Sequence, residues 1–341
     1  MVTSPKRLPV HVLTGFLGSG KTTLLSALLR KPELRDTLVI VNEVGEVGFD
    51  HLLLTETLDE VVVQLEGGCA CCVVRGDLVR TLVDAQDRLA GSGSAPFSRV
   101  VIETSGLATP DAIIRTLMFD EKLASAYTLG RIAATFDVVH GARTLGAYAE
   151  AQAQLAAAES IVMTKLDLAD AGQRASAEAR ITEFNPGAEV YSSESFLDLA
   201  GGWEQDTSEI ELPDIRDKSH GALSELTPFP HTQNIQTFTL RWPEALERRR
   251  FNEWMSVRLR FHEGQVLRVK GIVHLHDSDR PVFIHGVQQM FHPPRILEVS
   301  PTRERDCHLV FITEGVSREV IERSFAEHVL RDRTVALNNA D

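Results

Sequence analysis

Over the first two-thirds of the chain, short runs of apolar residues alternate with longer segments of helical periodicity. Apolar runs without polar alternation are typical of strands buried on both faces of a parallel sheet. The predicted strands are 9–14, 37–42, 61–65, 99–104, 131–136 and 161–165, and the predicted helices are 21–29, 77–89, 111–118, 147–158 and 173–184. The pattern predicts an α/β domain whose mostly parallel sheet carries helices on both faces.

The pattern changes near residue 200. Residues 201–230 are rich in glycine, proline and acidic side chains, which is typical of a linker. The strands predicted beyond it are 234–240, 266–275, 282–287 and 308–313, and the predicted helices are 244–259 and 316–330. The sequence therefore predicts three parts: an α/β domain over 1–200, a linker over 201–230, and a smaller α+β domain over 231–341.

Composition and charge narrow the class of protein. The chain has 341 residues, of which 43% are hydrophobic, and a net charge of −13. That charge argues against nucleic-acid binding, which needs clustered lysine and arginine. No apolar run approaches the ~20 residues of a membrane span, and no secretory signal is recognisable. We therefore expect a cytoplasmic protein with no membrane partner, in which the four cysteines stay reduced.

The segment G-F-L-G-S-G-K-T at 15–22 lies between a predicted strand and a predicted helix. In that position the G-x-x-x-x-G-K-T spacing predicts a phosphate-binding loop, because its backbone N–H groups and the helix N-terminus turn toward the phosphates. Lys21 is expected to reach the β- and γ-phosphates, and the Thr22 hydroxyl to ligate Mg²⁺. The residues expected to contact nucleotide in this segment are Gly15, Gly18, Ser19, Gly20, Lys21, Thr22 and Thr23.

Two later strand ends carry candidate chemistry. In T-K-L-D at 164–167, the carboxylate of Asp167 suits the two N–H donors of guanine. Lys165 is expected to cover the purine ring with its side-chain stem, and Thr164 is expected to belong to the same nucleotide-binding segment. Glu103, at the end of another strand, is expected to hold Mg²⁺ through water. The amide of Gly106 is expected to sense the γ-phosphate. Lys21, Thr22 and Glu103 are the predicted catalytic residues.

Three of the four cysteines lie together in E-G-G-C-A-C-C at 66–72. Cys69, Cys71 and Cys72 are soft ligands, and without a second cysteine pair they leave a coordination position open. Candidates for the fourth ligand are Glu43, a water molecule or a side chain of a partner. An incomplete thiolate site suits a metal ion that is passed on, and thiolates favour Zn²⁺, Co²⁺ or Cu⁺ over Mg²⁺.

Taken together, these motifs resemble the CobW-like P-loop GTPases, which are similar to the nickel chaperones of urease and hydrogenase maturation. Besides the segments above, the resemblance involves N-E-V-G-E-V-G-F-D at 42–50 and the C-terminal segments 231–235, 267–271 and 285–288. It implies a first switch at 42–50, with Glu43 and Glu46 near the metal or Mg²⁺, and a second switch at 103–106. It also implies that the C-x-C-C thiols hold Zn²⁺ or Co²⁺.

Two features depart from the family pattern. Thr164 stands where many members have asparagine, which puts the strictness of guanine selection in question. A histidine-rich tract in the linker is absent, since only His220 and His231 fall nearby. His274 and His276 are candidates for a second weak metal site, although the interpretation we favour is that both are ordinary solvent-facing side chains.

The function expected from the sequence is that of a GTP-hydrolysing metal chaperone that delivers Zn²⁺ or Co²⁺ to a client metalloprotein. Its expected cofactors are GTP or GDP, Mg²⁺ and the carried metal, and a nucleotide-dependent homodimer is one expected form. Ordering of the segments 42–50 and 103–106 by the γ-phosphate would assemble the thiol site between them. Two alternatives are a P-loop small-molecule kinase with a structural metal and a non-hydrolysing module that senses metal or thiols.

Overall fold

The structure, a computed structural model, describes residues 7–34, 36–41, 62–64, 78–87, 97–199, 203, 235–257, 259, 265–287, 290–291, 294–297 and 307–330. Contacts within the chain divide it into two compact units, residues 1–181 with 188–206 and residues 182–187 with 207–341. The domain boundaries predicted at 200 and 231 stay predictions, because residues 204–234 lie outside the described ranges.

The described part of the first unit contains a seven-stranded sheet in which all neighbouring strands are parallel. The strands are β1 Leu8–Gly15, β2 Thr37–Val41, β3 Val62–Gln64, β4 Arg99–Glu103, β5 Tyr127–Asp137, β6 Ser160–Thr164 and β7 Glu189–Ser192. Their order in the sheet is β3-β2-β4-β1-β5-β6-β7. This confirms the predicted parallel α/β sheet, and it brings the ends of β1, β4, β5 and β6 to one edge.

Helices flank this sheet. They are α1 Lys21–Leu29, α2 at 78–87, α3 Asp111–Phe119, α4 Glu121–Ala126, α5 Gly141–Ala147, α6 Ala149–Ala157, α7 Ala171–Phe184 and α8 Ser193–Asp198. Leu13 and Val101 of the sheet share a buried cluster with Leu25 of α1. Their strand neighbours Val12 and Ile102 are also fully buried. Because successive strand residues point to opposite faces, both faces of the sheet are covered.

Two elements of this sheet differ from the predicted ones. The strand β5 begins at Tyr127, four residues before its predicted start, since the apolar run is interrupted by Gly130 and Arg131 at a register shift against β1. The strand β7 was not predicted, because its residues are half-buried and lack an apolar run. Half-buried edge strands carry a weaker hydrophobic signal than central strands.

The second unit has an antiparallel sheet. Its strands are β8 Ile235–Trp242, β9 Gln265–Val273, β10 Val282–Val287, β11 Met290–Phe291, β12 Arg295–Ile296 and β13 Cys307–Glu314. Their order is β11-β10-β9-β13-β8, with β12 paired to β10. The described helices of this unit are α9 Arg248–Ser256 and α10 Arg318–His328, which confirms the predicted α+β class. Its core includes the aromatic side chains Trp254, Phe311 and Phe325.

Two expectations for the second unit were wrong. The helix predicted over 244–259 is shorter, because Leu246 forms a β-bridge with Leu275 before α9 begins. His274 is buried, with 7% of its surface exposed, rather than solvent-facing, whereas His276 is exposed. The backbone amide of His274 donates to Sγ of Cys307 at 3.1 Å, which places both residues within the sheet packing.

Within the described ranges, no helix combines the length and apolar character that crossing a bilayer requires.

Candidate functional site

The loop between β1 and α1 is turned tightly on itself. The backbone amide of Ser19 donates to the carbonyl of Phe16 at 3.1 Å, and the Ser19 hydroxyl reaches the same carbonyl at 2.6 Å. That hydroxyl also lies 2.6 Å from Oγ1 of Thr135 on β5. Gly20 precedes the helix at φ 90°, a conformation that favours glycine. The loop therefore leads directly into the first turn of α1, whose backbone amides have no acceptor within the helix.

Lys21, the first residue of α1, extends back along the loop. Its ammonium group donates to the carbonyl of Phe16 at 3.2 Å, and only 8% of the residue is exposed. A positive charge is thus held beside the positive end of the helix dipole, which makes this end of the helix attractive to anions. Thr23, on the same turn, is exposed, and Gly18 has φ 68°.

Thr22 and Glu103 meet at the sheet edge. The Thr22 hydroxyl donates to Oε1 of Glu103 at 2.7 Å, and Glu103 is 4% exposed at the end of β4. A hydroxyl oxygen and a carboxylate oxygen are hard ligands of the kind that Mg²⁺ prefers. The two residues that the sequence assigned to Mg²⁺ are therefore adjacent and chemically suited to it.

The segment after Glu103 runs along the phosphate-binding loop. The amide of Thr104 donates to the carbonyl of Leu13 at 2.9 Å, and its hydroxyl bonds that of Thr14 at 2.8 Å. A Cβ atom on Gly106 would lie 2.7 Å from the backbone nitrogen and Cα of Leu17. This close approach requires glycine at position 106, and it places the predicted phosphate sensor directly against the loop.

Thr164 links the end of β6 to the same loop. Its hydroxyl lies 2.7 Å from the carbonyl oxygen of Ser19 and 3.2 Å from that of Phe136. The side chain therefore bonds backbone carbonyls of the loop and of β5 here, and its predicted contact with the base stays a prediction. Asp167 is exposed in the 3-10 turn Leu166–Leu168.

Lys165 adopts a strained conformation at the end of β6. Its φ is 56°, a value that among the described residues otherwise belongs to glycines. Its ammonium group bonds Oδ2 of Asp137 at 2.7 Å. The other carboxylate oxygen of Asp137 accepts from the amides of Val139 and His140 at 2.8 and 3.1 Å. These contacts fix where the lysine stem lies.

The environment of Asp137 keeps its carboxylate charged. Burial acts to raise the pKa of Asp137, but the hydrogen bond from Lys165 and those from the amides of His140 and Val139 outweigh it, so its pKa lies below the ordinary value. An ionised Asp137 is what the pairing with Lys165 requires.

Asp137, Ser193 and Gln154 were not among the residues predicted from the sequence. Asp137 ends a buried strand as Glu103 does, so the same strand-end argument would have found it. Ser193 donates to the carbonyl of Met163 at 2.9 Å and so joins the ends of β6 and β7 beside T-K-L-D. No sequence signal distinguishes Gln154, which lies in an alanine- and glutamine-rich helix.

A cavity of about 160 Å³ lies beside the phosphate-binding loop. Its lining includes Phe16, Leu17, Phe136, Asp137, Gln154 and Lys165. The loop is thus bordered on this side by the end of β5 and by α5 and α6.

The predicted transition-metal ligands Glu43, Cys69, Cys71 and Cys72 lie outside the described residues, as does the segment 42–50. Elsewhere in the part of the chain that the structure describes, no three His, Cys, Asp or Glu side chains are grouped as metal ligands would be. The structure thus brings Thr22 to Glu103 and places Gly106 and Thr164 against the phosphate-binding loop. The thiol site stays a prediction from the sequence.

These features define a P-loop nucleotide-binding fold. They are a parallel sheet, a glycine-rich loop between β1 and α1, a lysine and a threonine at the start of α1, and an acidic residue at the end of the neighbouring strand β4. Comparison with known families agrees. Residues 9–192 match the CobW/HypB/UreG nucleotide-binding domain, and residues 235–329 match the cobalamin synthesis protein CobW C-terminal domain. The chain therefore belongs to the CobW/HypB/UreG family, as its motifs indicated.

Its relatives include zinc chaperones and GTPases. The zinc chaperone YjiA of Escherichia coli is 37% identical over 54% of this chain, and the match spans 57% of the length of YjiA. The zinc-regulated GTPase metalloprotein activator 1 of Schizosaccharomyces pombe is 26% identical over 92% of this chain and 81% of its own length. The zinc chaperone CobW of Pseudomonas aeruginosa is 31% identical over 53% of this chain and 55% of its own length.

The fold is also found in a solved structure. The crystal structure of Zn(II)-bound YjiA GTPase from E. coli has a TM-score of 0.66, with 23% sequence identity, and the alignment covers 95% of this chain and 99% of that chain. At this identity the likeness shows a shared fold, in agreement with the two units described above.

Proposed function

We propose that this protein is a GTP-dependent metal chaperone: it binds and hydrolyses GTP, holds Zn²⁺ or Co²⁺ through the C-x-C-C thiols, and delivers the ion to a client metalloprotein. The observation that carries the nucleotide part is the 2.7 Å contact between Thr22 and Glu103 beside Lys21. Relatives named as zinc chaperones and as a zinc-regulated GTPase support the metal part.

At the triphosphate, the chain supplies charge and positioned donors. The amides at the start of α1 bind phosphate oxygens, and Lys21 leaves the carbonyl of Phe16 for the β- and γ-phosphates. Thr22 and Glu103 would hold Mg²⁺, which would neutralise the negative charge that develops on the phosphates. The amide of Gly106 donates to the γ-phosphate, so that its position reports whether that group is present.

At the base, recognition falls to the T-K-L-D segment. The exposed Asp167 accepts from the two N–H groups of guanine, a pair that adenine lacks. The stem of Lys165 covers the purine ring, and its strained backbone is fixed by the bond to Asp137. Thr164 keeps this segment in register with the phosphate-binding loop through Ser19.

At the thiols, Cys69, Cys71 and Cys72 bind the carried ion with Glu43, water or a partner's side chain as the remaining ligand. Thiolates bind the ion only while the cysteines stay reduced, so the proposal places the protein in a reducing compartment such as the cytosol. An incomplete coordination shell permits transfer to the client, and a nucleotide-dependent homodimer would enclose the ion before transfer.

The proposal is tested by zinc affinity and GTP turnover of the Cys71→Ser variant. We expect the variant to bind Zn²⁺ more weakly by at least about tenfold in competition with a chelator, and its GTP turnover to stop responding to Zn²⁺. The matched control is Cys307→Ser, which removes the remaining thiol, buried in β13. Unchanged affinity in Cys71→Ser would contradict the proposal.

The readout is affinity rather than the presence of zinc. A YjiA triple mutant, in which one glutamate and two cysteines are replaced by alanine, also has a Zn(II)-bound crystal structure.

Analysis of the products of the GTP turnover assay decides between the proposed function and its two alternatives. Phosphate transferred to a small molecule would favour a kinase, and no phosphate release with any metal would favour a binding module.

A further inference from the structure

One buried side chain of α6 contacts the segment that follows Glu103. Nε2 of Gln154 donates to the carbonyl of Gly106 at 3.0 Å and to the carbonyl of Ala108 at 2.9 Å. Gln154 is 1% exposed. A helix on one side of the phosphate-binding loop is thereby bonded to the segment on which the predicted γ-phosphate sensor lies.

The chemistry of these contacts requires an amide. Both partners are carbonyl oxygens, so the NH₂ group of Gln154 must face them and its orientation is determined by the contacts. A glutamate would place acceptor oxygens against two carbonyls. A leucine would fill the same space and leave the buried carbonyl of Gly106 and the partly buried carbonyl of Ala108 without the donor that α6 supplies.

The same segment is fixed at its other end by β1. Thr104 bonds the backbone of Leu13 and the hydroxyl of Thr14. Between the two fixed ends, Gly106 lies in close approach to Leu17. Gly106 therefore lies in a segment with contacts to β1, to the phosphate-binding loop and, through Gln154, to α6.

We propose that Gln154 is a positioning residue for recognition of the terminal phosphate: by holding the carbonyls of Gly106 and Ala108, it keeps the Gly106 amide aligned with the γ-phosphate. This inference depends on the proposed function, since it assigns how the same site tells GTP from GDP. In this role Gln154 acts on the nucleotide through Gly106, so its removal should weaken binding of the nucleotide that has the third phosphate and spare the one that lacks it.

The chain supplies a matched control on the same helix. Gln152 is also buried, at 5% exposed, and its Nε2 donates to a backbone carbonyl, that of Leu145, at 2.8 Å. It makes no bond to the segment after Glu103 among the described contacts. Replacing Gln152 thus imposes a similar loss of a buried amide without the proposed positioning effect.

The experiment measures binding of GDP and of a non-hydrolysable GTP analogue to the full chain by titration calorimetry with Mg²⁺. In Gln154→Leu we expect affinity for the analogue to fall about tenfold and affinity for GDP to stay within about twofold. Gln154→Asn, a milder change that retains the amide but shortens its reach, should shift the ratio in the same direction. In Gln152→Leu the ratio should equal that of the parent.

An unchanged ratio in both Gln154 variants, or an equal fall in Gln152→Leu, would overturn the inference. A loss of affinity for both nucleotides by the same factor in Gln154→Asn would also overturn it, because that is the mark of general loosening. A parent chain that binds neither nucleotide would instead overturn the proposed function, and the inference with it.

Discussion

At the scale of single residues, the contact between Thr22 and Glu103 joins the start of α1 to the end of β4. Both residues were predicted from the sequence, since the motif at 15–22 fixes one and the end of an apolar strand fixes the other. The contacts of Lys165 with Asp137 and of Gln154 with Gly106 were not predicted. They join residues 28 and 48 positions apart, and a single sequence carries no record of such pairs.

Replacing Thr22 by alanine removes one predicted Mg²⁺ ligand and the hydrogen bond to Glu103. We expect GTP turnover to fall by more than about a hundredfold, since preorganised groups that stabilise charge in the transition state are worth this much. The control is Ser26→Ala, one turn further along α1, where the hydroxyl bonds the carbonyl of Thr22. Steady-state phosphate release measures both, and comparable turnover in the two variants would refute the assignment.

We expect the buried His11 of β1 to make the free energy of unfolding depend on pH. Burial, together with the charges of Arg99 and Arg131, lowers the pKa of His11 to about 3. Its Nδ1 accepts from the amide of Arg131 at 3.0 Å, which requires the neutral ring. In the unfolded chain the His11 ring binds a proton near pH 6.5, whereas in the folded chain it stays neutral at that pH. The stability gained from the neutral ring is therefore complete above pH 6.5 and is lost as pH falls toward 3.

Urea unfolding from pH 7.5 to 4.5 measures this dependence. Between pH 6 and 5 we expect the free energy of unfolding of the parent to fall by up to about 1.4 kcal/mol per pH unit more than that of His11→Asn. The exposed His140 supplies the control, because His140→Asn should keep the slope of the parent. Equal slopes in the parent and in His11→Asn would show that His11 is not held neutral.

Among the helices and strands, those with a clear hydrophobic pattern were predicted from the sequence. The central strands β1, β2, β4 and β6 are buried along most of their length, and each produces an apolar run. The strand β7 is half-buried and α5 has few apolar positions, so neither was predicted. The helix α9 begins later than predicted because Leu246 forms a β-bridge with Leu275. Local hydrophobic periodicity cannot predict such a tertiary contact.

The pairing of β9 with β13 provides a prediction at this scale. A Cβ atom on Gly271 would overlap the carbonyl oxygen of His308 and lie 2.9 Å from Cα of Leu309. Because both neighbours are backbone, we expect Gly271→Ala to destabilise the second unit by more than about 2 kcal/mol. Two of the three tryptophans, Trp242 and Trp254, lie in that unit and report its unfolding by fluorescence.

The matched variant is Gly172→Ala at the exposed start of α7, where the nearest atom to an added Cβ is Oδ1 of Asp170 at 3.3 Å. Alanine is the better helix former, so this change should leave the unfolding midpoint unchanged or raise it slightly. A midpoint for Gly271→Ala equal to that of Gly172→Ala would mean that β9 and β13 do not approach as described.

At the scale of the whole molecule, the order of motifs along the chain suggests how nucleotide and metal are coupled. The thiols at 69–72 lie in sequence between the segment 42–50 and the segment 103–106. The structure describes the second of these segments, held against the phosphate-binding loop at Gly106. If the γ-phosphate orders both segments, the thiols between them are brought together, and hydrolysis releases them.

We therefore expect the terminal phosphate of the nucleotide to control the affinity for the carried ion. This expectation is tested most directly by titrating Zn²⁺ against a chelator into the protein loaded with GDP and with a non-hydrolysable GTP analogue. We expect about 5- to 150-fold tighter zinc binding in the triphosphate form, and an equal gain in the affinity for the analogue relative to that for GDP when zinc is bound. Equal zinc affinities in the two forms would contradict it.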